Sequence, residues 1–131
     1  MSFDAKAIFA NLAEQERIKG HHSPEGRAIR TLSRALHGWS SGDLSAGDAV
    51  VLCDQAMEDW LKARLKVPPW SSKGPVGLLA GAQEVNLLTR ADALRLQRLR
   101  RLRVDSTPGE MAAADAEEAL TLCIEIVEKH W

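Results

Sequence analysis

This chain of 131 residues has no tyrosine, only two phenylalanines and two cysteines. Val, Ile and Thr, which favour strands, together number 16, too few to build a sheet-based fold. An excess of one charge is missing too: 17 Lys and Arg stand against 18 Asp and Glu, which places the chain among ordinary globular proteins of one domain, residues 1–131. No apolar run nears the roughly 18 residues a membrane span needs, because charge interrupts each within a few positions. No membrane partner is therefore expected. The opening Met1-Ser2-Phe3-Asp4-Ala5-Lys6 has neither a basic stretch nor an apolar one behind it, so no secretory signal is read and a cytoplasmic location is expected.

Cys53 and Cys123 lie seventy positions apart with no CxxC spacing, which predicts buried free thiols rather than a disulfide, a zinc site or a nucleophile. A GxSxG elbow, a P-loop and a dinucleotide fingerprint are all missing. His21 and His22 are adjacent and splay apart, with no further ligand at metal-binding spacing. His37 and His130 fall near predicted helix ends, where interaction with the negative helix pole is a sufficient role. No metal, cofactor or catalytic residue is assigned on these patterns.

What the chain does have is 17 Leu and 19 Ala, strong helix formers at helical spacing, and an all-α, up-and-down helical bundle is predicted. Apolar positions Ala5, Ile8, Phe9, Leu12 and Ala13 mark a first helix, and Ser23-Pro24-Glu25 opens a second over 24–39. Ser45-Ala46-Gly47-Asp48 caps a long third helix to about Leu65, which looks central. The prolines of 67–75 make a loop. There Trp70 is a candidate partner contact, with an indole folded back to close the core as the plainer reading, while Trp39, Trp60 and Trp131 read as packing residues. Helices at 76–87 and 90–103 follow, the latter capped from Thr89, and a capping pattern at 105–110 precedes the last helix.

The segment 90–103 carries six arginines and one Asp, a local charge of +5, and the last helix with its lead-in carries about −5. Two adjacent helices with complementary surfaces are the plainer reading. The functional reading makes Arg95, Arg98, Arg100, Arg101 and Arg103 a binding stripe for RNA or nucleotide phosphates, since guanidinium forks match phosphate oxygens. No aromatic residue interleaves them to stack bases.

The run Gln55-Ala56-Met57-Glu58-Asp59-Trp60-Leu61-Lys62-Ala63 resembles the Gln-Ala-x-Glu-x-x-Leu-Lys-Ala run in the first long helix of HEPN domains. Leu99 to Arg103, a turn, and Ala116 to Leu120 resemble that family's third helix end and fourth helix. The resemblance covers about 85 residues, 45–129, and implies a four-helix HEPN-like core there, with the helical pair 3–39 added before it. It further implies a homodimer, association with a nucleotidyltransferase-like or toxin-type protein, and in many members a metal-independent ribonuclease site with an Arg-x4-His motif. Here Arg103 leads to Pro108, Arg100 to Asp105 and Arg101 to Ser106, so no register supplies the imidazole. General acid–base catalysis contributes about 10²–10⁴-fold, and its loss implies a catalytically silent member acting by protein–protein interaction. A ribonuclease using His37 or Asp105 as base is the lesser alternative. Glu58 matches the family's acidic position and is expected to face Arg103 or Arg100, as an ion pair or a remnant of the site.

Overall fold

A computed structural model describes residues 4–68, 74–105 and 108–130. Six α-helices make up the described chain: α1 (Ala5–Lys19), α2 (Pro24–Ser41), α3 (Ala46–Arg64), α4 (Pro75–Glu84), α5 (Arg90–Asp105) and α6 (Ala113–Glu128), with a 3-10 turn at Pro108–Glu110. Among the described residues there is no strand, and no helix is long and apolar enough to cross a membrane.

The helices begin where side chains can take up otherwise unbonded N–H groups. Asp4 Oδ1 accepts from Ala7 N at 3.1 Å, Ser23 Oγ from Gly26 N at 2.9 Å, Ser45 Oγ from Asp48 N at 3.1 Å and Thr89 Oγ1 from Asp92 N at 3.1 Å. The start of α6 departs from expectation. The helix begins at Ala113 rather than near Glu110, and Asp115 Oδ2 accepts from Ala112 N at 2.9 Å. The 3-10 turn packs on α3, and Met111 just beyond it is buried in the core, so burial of that side chain sets where the helix starts. Helix α4 likewise stops at Glu84, three residues short of the predicted end, because Asn86 turns left-handed (φ 59°) and delivers Leu87 and Leu88 to the core.

One core runs through all six helices, from Leu12 of α1 and Ile29, Leu32 and Leu36 of α2 to Trp60 of α3, Leu78 of α4, Leu96 of α5 and Leu120 of α6. The helical pair at the N-terminus thus contributes to the same core as the helices after residue 45. Helix α3 is central, touching α2, α4, α5 and α6. Side-chain pairings give the register. Phe9 meets His37 while Glu16 meets Arg30, so α1 and α2 run antiparallel. Arg95 with Glu125 and Asp92 with Lys129 set α5 antiparallel to α6 in the same way.

The α1–α2 turn is held by a network that the sequence does not advertise. Glu16 Oε2 lies 2.7 Å from His21 Nδ1 and 3.0 Å from the Arg30 guanidinium, which also donates to the His21 carbonyl at 2.8 Å. Burial raises the Glu16 carboxyl, but hydrogen bonds and charge from His21 and Arg30 outweigh it and hold the group below its ordinary value. A depressed carboxyl stabilises the fold above its unfolded pKa, about 4.3, and that contribution is lost as pH falls through the lower folded value. We expect Glu16→Gln to lose about 1 kcal/mol at neutral pH, with the deficit closing at the acid end of urea-unfolding measurements made across pH. A deficit that stayed constant down to the acid limit would assign the loss to shape rather than charge.

Candidate functional site

The arginines of α5 divide between two sides of the helix. Towards α3, Arg103 Nη1 donates to Asp54 Oδ2 at 2.6 Å, and Arg100 Nη1 lies 4.0 Å from the same oxygen. Asp54 is buried, at 8% exposure. The acidic partner of these arginines is therefore Asp54 and not Glu58, which pairs with Lys62 along its own helix at 3.9 Å. The correction is one of register: the antiparallel packing of α3 and α5 sets position 54, one turn before Glu58, opposite 100–103. Glu58 and Arg100 still line a common cleft of about 30 Å³ with Leu61, Leu79 and Leu96, without forming an ion pair. Asp54 was legible in principle. It shares an apolar stripe with Val50, Met57 and Leu61, and an acid in such a stripe needs a cation from a neighbouring element.

Towards α6, Arg95, Arg98 and Arg101 form one wall of an open groove of about 300 Å³, and Asp115 and Glu118 form the other, with Asp105 also in the lining. Leu99, Leu102, Ala119 and Leu122 supply the apolar surface between them. Arg95 stands 3.9 Å from Glu125 and Arg98 3.9 Å from Glu118, distances for attraction without a hydrogen bond. Lys129 reaches the buried Asp92 at 3.4 Å. The complementary-helix reading thus describes the resting arrangement, yet surface pairs of this kind contribute little to stability. Arg98 remains 79% exposed along its side chain, and Arg90 and Arg101 have no ion-pair partner among the described residues.

Comparison with family models, curated proteins and solved structures gives no match. The chemistry of the chain therefore rests on its own side chains.

None of the four histidines lines this groove or the Asp54 cleft. His21 is bound to Glu16, the His37 ring packs 5.4 Å from Phe9, and the His130 ring packs 5.8 Å from Trp60. Among the described residues no three His, Cys, Asp or Glu side chains gather as a metal-ion set. Cys53 and Cys123 are free and buried between α3 and α6, with Cys123 Sγ 3.9 Å from the Cys53 carbonyl oxygen. The neighbouring Cys53 thiol, together with burial, pushes the Cys123 thiol well above its ordinary value, which keeps it protonated and unreactive. A further cleft of about 100 Å³ lies between α2 and α3 beside Arg27, Asp59 and Lys62. Burial first, then the adjacent Glu58, raises the Asp59 carboxyl there, against the opposing pull of Lys62 and Arg27. Trp70 lies outside the described residues.

Proposed function

We propose that this chain is a catalytically silent, HEPN-like helical protein that acts by protein–protein contact and works as a homodimer. The observation that carries the reading is the outward face of α5. Leu94 and Val104 are 56% and 67% exposed there, interspersed with Arg98 and Arg101, an apolar and cationic mixture of the kind that interfaces cover. That no histidine lines the α5–α6 groove or the Asp54 cleft supports the silent reading, since acid–base cleavage would need an imidazole beside the α5 arginines. The more deeply placed arginines, Arg100 and Arg103, have a structural occupation in holding Asp54.

Sedimentation velocity from low to high micromolar concentration tests this reading, and a concentration-dependent dimer is the expected result. A chain that stays monomeric throughout removes it.

A second reading, binding of RNA or nucleotide phosphates, draws on the exposure of Arg90, Arg98 and Arg101. It predicts a gel shift that weakens with salt, with a slope of about −0.7 per neutralised phosphate of a single strand. Against it stand Asp115, Glu118 and Glu125, which a phosphate backbone laid on α5 would meet at close range.

A further inference from the structure

The α5–α6 groove has walls of opposite charge. A ligand of one sign would be attracted by one wall and repelled by the other, so the lining selects an occupant that itself carries both signs in matching order. A second copy of the groove has that property. If a copy is turned about a two-fold axis running along the groove, its α6 lies over α5 and its α5 over α6. Arg98 of each chain then faces Glu118 of the other, the reciprocal arrangement that an isologous contact requires.

Three further features fit a second copy. Arg98 and Glu118 sit 3.9 Å apart within one chain, both more than half exposed, so neither is committed to a hydrogen bond with the other. Leu99, Leu102, Ala119 and Leu122 line the groove between its two charged walls, apolar surface for a second copy to cover, whereas Leu94 and Gln97 line a separate cleft against α4. Finally, a net charge of −1 imposes little long-range repulsion between two copies.

We infer that the α5–α6 face is the surface on which two copies of this chain associate, the guanidiniums of one over the carboxylates of the other. This rests on the homodimer reading above and specifies where the dimer forms.

Charge reversal in two separate chains provides the test. Arg98→Glu alone sets Glu against Glu118 twice across the two-fold, and Glu118→Arg alone sets Arg98 against Arg twice. Each variant is expected to dimerise at least about tenfold more weakly than the unaltered chain in sedimentation equilibrium. Mixing the two variants creates two opposite-charge pairs in the mixed dimer, and association is expected to return, with its strength falling as salt is added. Both substitutions also disturb the pair within one chain, but mixing cannot mend a defect internal to a chain, so recovery on mixing reports contact between chains. Circular dichroism melts of each variant confirm that the helices persist.

Unaltered dimerisation of both variants would move the dimer to another face and overturn this inference while leaving the homodimer reading in place. Weakened variants that fail to recover on mixing would overturn the two-fold pairing. A monomeric parent chain would remove both, and a salt-sensitive shift of labelled RNA lost in Arg98→Glu would then give the face to nucleic acid.

Discussion

Replacing Trp60 by alanine is expected to lower the free energy of unfolding by about 3–5 kcal/mol. Trp60 is 1% exposed, the largest of the fully buried side chains, and lies on the central helix α3. The His130 ring packs 5.8 Å from it, and the Arg64 guanidinium lies 5.8 Å over its face, so the indole ties the end of α6 to the end of α3. Arg64 in turn bonds the His130 carbonyl at 3.3 Å and Glu25 of α2 at 3.2 Å. Truncation would leave a cavity where three helices converge, and a dense interior relaxes into such a space only in part. The indole N–H has no acceptor among the described residues, an uncompensated desolvation that Phe would not carry. Trp60→Phe is therefore expected to cost much less, about 1 kcal/mol, by urea unfolding followed in the far-ultraviolet. Equal losses from the two variants would show that volume is not what the site supplies.

Gly26→Ala is expected to cost about 2–3 kcal/mol, even though alanine is the better helix former. A Cβ at Gly26 would fall far inside van der Waals contact with the Gly20 carbonyl oxygen and 2.9 Å from its carbon, both backbone atoms. Gly20 itself has φ 97° and accepts from Ser23, so the turn joining α1 to α2 must open to make room. Gly38 gives the control. Its added Cβ would meet the Cδ1 and Cγ of Leu44 at 2.5 Å, side-chain rather than backbone atoms, on a half-buried leucine that can change rotamer. Gly38→Ala is expected to stay within about 1 kcal/mol of the parent, since helix propensity offsets part of the crowding. Thermal unfolding of the two variants side by side decides the matter, and a Gly26 variant as stable as the Gly38 variant would show that the α1–α2 turn is not built on that close approach.

The two cases differ in how far sequence reasoning reaches. The helical stripe through Ile29, Leu32, Ala35 and Leu36 is visible in the spacing of the chain itself, and those residues are buried. That Gly26 must remain glycine depends on a carbonyl six residues earlier returning against it, a fact of the turn's geometry. The same holds for Glu16, His21 and Arg30, which carry no common motif and meet only because α1 folds back on α2. Position 58, singled out by its place in a resembling run, is one turn from the acid that meets the arginines. A pattern with one residue per 1.5 Å of helix does not say which turn faces which.

Residue order alone determined the all-helical class, the caps at Ser23, Ser45 and Thr89, the long α3 and the concentration of positive charge on α5. These follow from interactions spanning about four residues, hydrogen bonds and stripes that a single helix closes on itself. Tertiary structure alone decided that α2 enters the core, that Arg100 and Arg103 turn to Asp54, and that Arg98 stands beside Glu118 across a groove. Those outcomes depend on the relative rotation and sliding of whole helices, which the summed burial of many apolar side chains settles together and no short segment of the chain encodes.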